Sequence, residues 1–107
     1  MTQPTLLYVT CAKHEEAVRI ARTLLDERLI ACANVMAPHT AVYRWQEQVQ
    51  QEPEVGMLLK TQADLTGRVS ERIRSLHSYS VPCVVALPIQ GGNPEFLTWI
   101  GQEVVAD

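Results

Sequence analysis

The sequence predicts an α+β domain, and three observations carry that prediction. Short β-rich runs alternate with stretches whose apolar residues recur at helical spacing. Two β-forming runs in the middle of the chain follow one another across a short polar connection, as in a hairpin. The 107 residues suit one domain, residues 1–107, with a single core.

The first strand is Thr5 to Cys11, TLLYVTC, where Tyr8, Val9 and Thr10 favour extended backbone. From His14 the period changes. Ala17, Ile20, Ala21, Leu24 and Leu25 form the stripe of an amphipathic helix, which is expected to run from His14 to Leu29. Glu15, Glu16, Arg19, Arg22, Asp26 and Arg28 mostly cover its other side, with acids at the start and Arg28 near the end, as the helix dipole prefers. Ile30 to Met36 is a second β-branched run, stopped near Pro38. Thr40–Val49 and Glu54–Gln62 then flank the polar stretch QQEP, which predicts a long hairpin connected there.

Leu65, Val69, Ile73 and Leu76 mark the second helical stripe, with Arg68, Arg72 and Arg74 on the exposed side. Cys83 to Ile89, CVVALPI, is almost continuously apolar, the pattern of a strand at the centre of a sheet. After the loop Gln90-Gly-Gly-Asn93, the Asn93 cap and Pro94 open a third helix carrying Leu97, Ile100 and Val104. The order is βαββαβ plus a C-terminal helix, the ferredoxin-like arrangement of two helices on one face of an antiparallel sheet. Many functions share that fold, so chemistry must be sought in particular residues.

Composition narrows the field. Hydrophobic residues are 47% and charged residues 20%, which excludes a disordered chain. No apolar run reaches the roughly 18 residues of a membrane span. The start, MTQPTLLYVTC, lacks the basic region of a signal peptide, so a cytoplasmic protein is expected. A net charge of -3 without a Lys/Arg cluster argues against nucleic acid as partner. Three widely spaced cysteines suit free thiols in a reducing compartment.

The chain carries no GxSxG, P-loop, HExxH, CxxC or GxGxxG motif, and no evident acid–base pair of carboxylates, so no enzyme is expected. Metal-ligating side chains are Cys11, Cys32, Cys83, His14, His39, His77 and Met36, a soft set that suits copper or zinc. Cys11 lies just ahead of a helix N-terminus, where an exposed thiolate is stabilised; a small buried hydrophobe is its plain alternative. His77-Ser-Tyr-Ser-Val-Pro82 places an imidazole and the Tyr79 phenol on a loop entering a strand. Lys60 is a lone cation on an apolar strand, placed either to reach solvent or to hold an anion. Tyr43 and Trp45 share one strand face, for core packing or for an interface.

Five segments in order resemble the divalent-cation tolerance proteins, the CutA family: Leu29-Ile-Ala-Cys-Ala-Asn34, Val42-Tyr-Arg-Trp45, Glu54–Thr61, His77-Ser-Tyr-Ser-Val-Pro82 and Phe96-Leu-Thr-Trp99. The resemblance implies a ferredoxin-like subunit in a tight homotrimer, with strands paired across subunits, clefts between them and no secure catalytic activity. It also implies a link to tolerance of copper and other divalent ions, and a likeness to PII signalling trimers, which hold small ligands in such clefts. The family's copper-binding cysteine falls on Val9 and its His-His pair on Leu76-His77, so only His77 remains. Cys11, two residues on and on the same strand face, is expected to substitute, and Cys83 adds a thiol where an acid is common. Gln46-Glu47-Gln48 replaces the family's usual Glu-Gly-Lys turn. The expectation is a homotrimer binding divalent metal, copper preferred, through His77, Cys11 and Cys83. The alternative is a PII-like trimer holding a small anionic ligand through Lys60, Trp45, Tyr79 and Tyr43.

Overall fold

A computed structural model describes residues 3–106. The elements are β1 (Pro4–Cys11), α1 (His14–Asp26), β2 (Cys32–Trp45), β3 (Gln48–Gln62), a 3-10 turn (Ala63–Leu65), α2 (Thr66–Leu76), β4 (Val84–Pro88) and α3 (Pro94–Glu103). The four strands form one antiparallel sheet in the order β2-β3-β1-β4.

Period-2 alternation divides the sheet into two unlike faces. Leu7, Val9 and Cys11 of β1 and Val55, Met57 and Leu59 of β3 are buried in one cluster with Ile20 and Leu24 of α1, Val69 and Ile73 of α2, and Ile100 of α3. The opposite face holds Leu6, Tyr8, Leu58, Lys60, Val85 and Leu87, cross-strand neighbours by register. Gly56 belongs to that second face for a steric reason. A Cβ there would stand 2.9 Å from the Met36 methyl and 3.1 Å from the Tyr8 ring.

The first helix ends three residues before the expected Leu29. Arg28 takes a left-handed conformation (φ 58°), and the chain closes with Arg28 N–H donating to Leu25 O (3.0 Å) and Leu29 N–H to Leu24 O (2.9 Å). This is a Schellman closure with arginine where glycine is usual. The guanidinium then donates to the Glu103 and Gln102 carbonyls (3.1 and 3.2 Å), satisfying the open end of α3. Arg28 thus serves the dipole of the third helix as well as ending its own.

The hairpin differs from expectation in two places. Its connection is Gln46-Glu47, not QQEP, and Trp45 pairs directly with Gln48. Both turn residues have positive φ, 50° and 69°, the type I′ geometry that twists with its strands; no Asn-Gly announces it. The second strand also does not stop at Pro38. A bulge between Val35 and Pro38 absorbs one extra residue, and the strand continues to Trp45. Pro53 is tolerated because β1 pairs with β3 only as far as Val55, leaving residue 53 on an open edge.

The apolar strand CVVALPI lies at the edge of the sheet rather than at its centre. Among the described residues it pairs with β1 alone, and Val85 and Leu87 are each 49% exposed. Within β4 only Val84 packs against the core, and the rest of the strand is exposed in this chain.

Glycine at position 47 should remove the left-handed penalty of about 1–2 kcal/mol, at a cost of about 0.5–1 kcal/mol in unfolded-state freedom. Urea denaturation at one fixed subunit concentration should therefore show Glu47→Gly more stable than the parent. Arg28→Gly should show no such gain, because it also strips two carbonyls of their donors.

Candidate metal centre

Three side chains from three separate elements meet beneath the loop that leaves α2. Cys11 ends β1, Glu16 lies in the first turn of α1, and His77 follows the last residue of α2. One ligand atom from each lies within 4.8 Å of the others. Cys11 and the His77 side chain are fully buried, and Glu16 is 7% exposed.

Hydrogen bonds define the state of each group. His77 Nε2 faces the Thr10 carbonyl at 2.8 Å, and a carbonyl only accepts, so Nε2 carries the proton. Nδ1 therefore keeps its lone pair and accepts the Tyr79 N–H at 3.0 Å. Glu16 Oε2 accepts the Ser78 N–H at 2.7 Å and stands 3.9 Å from His77 Nδ1. Burial works against ionising Glu16, but the hydrogen bonds from Ser78, then the electrostatic influence of His77 and the bond from the Ala12 N–H, outweigh it and hold its pKa below the usual carboxylate value. For Cys11 the balance goes the other way: burial and the neighbouring Glu16 push the thiol up to about 12. That environment disfavours a reactive thiolate and suits a sulfur packed in the core, which could act as a ligand only to an ion that displaces its proton.

Cys11 and His77, both singled out from the sequence, do come together. Cys83 does not join them. It precedes β4, hydrogen-bonds the Thr10 side chain and lies near Glu54 and Tyr8, on the sheet face opposite to Cys11. Strand alternation separates the two thiols. Glu16 is the residue sequence reasoning passed over, grouping it with the solvated face. The signal was there: position 16 precedes the buried Ile20 by four and Leu24 by eight, so it continues the apolar stripe.

The four cleft candidates divide. Tyr79 donates to Glu54 at 3.2 Å, and Tyr43 lies close by, bonded to Glu52. Burial and Glu54 both raise the Tyr79 phenol. Lys60 donates to Asn34 Oδ1 and stands opposite Leu6 and Cys32. Trp45 is at the hairpin tip, paired with Gln48. From Gln48 to Lys60 the strand spans about 40 Å at ~3.3 Å per residue, so Lys60 and Trp45 of one subunit cannot hold one small ligand.

The donor set fits a divalent ion of borderline softness. Zinc-type bonds of about 2.0–2.3 Å put tetrahedral ligands ~3.3–3.8 Å apart, close to the 3.9 Å between Glu16 and His77. Sulfur with imidazole selects against magnesium and calcium.

Residues 5–103 match the family described as CutA1 divalent ion tolerance protein. The chain is 40% identical over 95 residues to mouse Protein CutA, covering 89% of this chain and 54% of that one, so it spans about half the mouse protein's length. It is 40% identical over 98 residues to the divalent-cation tolerance protein CutA of Pyrococcus horikoshii, covering 92% and 95%. Among solved structures it is similar to the divalent cation tolerance protein of Thermus thermophilus, with TM-score 0.93, 38% identity and coverage of 95% and 99%.

The lowered Glu16 pKa sets a sign for acid stability. A carboxylate depressed in the fold contributes stability above its unfolded value near 4.5 and loses it as pH falls through the folded value. Denaturant titrations between about pH 3 and pH 6 should show the parent losing stability toward acid with a steeper slope than Glu16→Gln.

Proposed function

The chain belongs to the CutA1 divalent ion tolerance family, and on that premise we propose that it is a non-enzymatic homotrimer that binds divalent metal, copper preferred, in the cytoplasm. The observation that carries the metal reading is the meeting of Cys11 and His77, remote in sequence, in one buried cluster. Copper has the highest affinity of the first-row divalent ions for such nitrogen and sulfur donors. Three free cysteines suit a reducing compartment.

Assembly is supported by what the subunit leaves uncovered. The bare sheet face carries Leu6, Leu58, Val85 and Leu87, and β4 presents an unpaired apolar edge among the described residues. The hairpin beyond β1 is an arm with Val42 and Val49 each 65% exposed. Such edges and faces are pairing templates. Three copies is the number the family resemblance implies, and a closed ring is how head-to-tail contacts end without a filament.

Calorimetric titration with copper under reducing, anaerobic conditions should saturate near about one ion per subunit, and His77→Ala should abolish the signal. Heat indifferent to that substitution would sink the metal reading and leave the PII-like alternative, an inter-subunit cleft in which Lys60 of one subunit and the Tyr43, Trp45 and Tyr79 side chains of others take a small anion. Light scattering at micromolar concentration should give about three times the subunit mass; a particle of 12.0 kDa would refute the trimer.

A further inference from the structure

We infer that Glu16 is the third ligand of the metal site, which is therefore a sulfur–oxygen–nitrogen set of Cys11, Glu16 and His77 from which Cys83 is excluded. This rests on the metal-binding reading above and adds the donor set and the class of ion.

Glu16 is a carboxylate in a place where carboxylates seldom go, 7% exposed in the first turn of an amphipathic helix. Its bond from the Ser78 N–H is made at Oε2. The imidazole beside it offers no proton, because the nitrogen facing it, 3.9 Å away, is the unprotonated Nδ1. Carboxylate, imidazole and thiol thus converge on one point; a cation entering there would take the Nδ1 lone pair from the Tyr79 N–H and displace the thiol proton.

His77 already makes the orienting bond of a ligand, while its Nδ1 accepts the Tyr79 N–H that a metal would replace. Metal-bound histidines donate the other ring N–H to a carbonyl or carboxylate, which fixes the tautomer and aims the free nitrogen. Here Nε2–H donates to Thr10 O at 2.8 Å, and Thr10 adjoins Cys11. The strand end that supplies the thiol therefore also orients the imidazole.

Charge selects the ion. With the thiol proton displaced, Cys11 and Glu16 carry two negative charges and His77 none, which balances one divalent ion inside a low-dielectric pocket. One sulfur, one nitrogen and one oxygen suit Zn²⁺, Co²⁺ and Cu²⁺ rather than Mg²⁺ or Ca²⁺. Three protein ligands leave a fourth position for water or an exchanging donor.

The test uses Co²⁺ as a redox-silent probe on the reduced, full-length chain under argon, followed by absorption spectroscopy. The parent and Cys83→Ser should both show a sulfur-to-cobalt charge-transfer band, and Cys11→Ser should lose it. Glu16→Gln should keep the band but bind at least about tenfold more weakly. Glu16→His, which replaces one donor by another, should recover binding with an altered visible spectrum. Circular dichroism on each apo variant selects those that fold. A folded Glu16→Gln or Glu16→His variant with the parent's affinity and spectrum would overturn the role of Glu16. A band that survives Cys11→Ser or vanishes in Cys83→Ser would overturn the donor set. Failure of the parent to take up cobalt or copper would overturn the metal reading itself, and this proposal with it.

Discussion

The helices cover one face of a four-stranded sheet and leave the other bare, and the rest of the molecule follows from that asymmetry. Strand residues alternate between the faces, so each strand must be apolar toward the helices and carry something else outward. β1 shows the division most clearly: Leu7, Val9 and Cys11 are buried, while Leu6 and Tyr8 lie on the bare side. A face with Leu6, Leu58, Val85 and Leu87 is too apolar to be a resting solvent surface. The homotrimer proposed above would cover it, and would account for so apolar a strand as β4 at an edge.

The same alternation shapes the chemistry. Cys11 is the last inward residue of β1, and it reaches just far enough to meet the start of α1 and the loop after α2. That loop is held by three polar bonds, from His77 to Thr10, Ser78 to Glu16 and Tyr79 to His77. Their cost is the burial of a carboxylate and an imidazole, which is tolerated because each donor and acceptor finds a partner. Tyr79 continues outward to Glu54 and so ties the buried cluster to the bare face. The buried Cys11–Glu16–His77 cluster and the bare sheet face are thus reached from opposite ends of one short loop.

Much of the fold was legible because it rests on periodicity. The stripe Ala17–Ile20–Ala21–Leu24 and the stripe Val69–Ile73 are the buried faces of α1 and α2. Asn93 caps α3 through the Glu95 N–H, as its side chain and the following proline suggest. Local rules failed where a residue acts against its own propensity. Arg28, Gln46 and Glu47 adopt backbone conformations that favour glycine or asparagine, each held by contacts or pairing from elsewhere. Helix length and turn position were misplaced at those three residues.

Amino-acid order by itself determined the element sequence and the core faces of the helices, which depend on spacing along the chain, and marked Cys11 and His77 as candidates through their residue types and the family resemblance. Tertiary structure alone decided which strand lies at the edge, because strand order is set by long-range pairing. It also decided where the extra residue of the bulge reverses the faces of β2. That bulge turns Tyr43 and Trp45 to the bare side. And it brought Glu16, inward-facing by its place on the α1 stripe, together with Cys11 and His77, a meeting of three elements that no local spacing encodes.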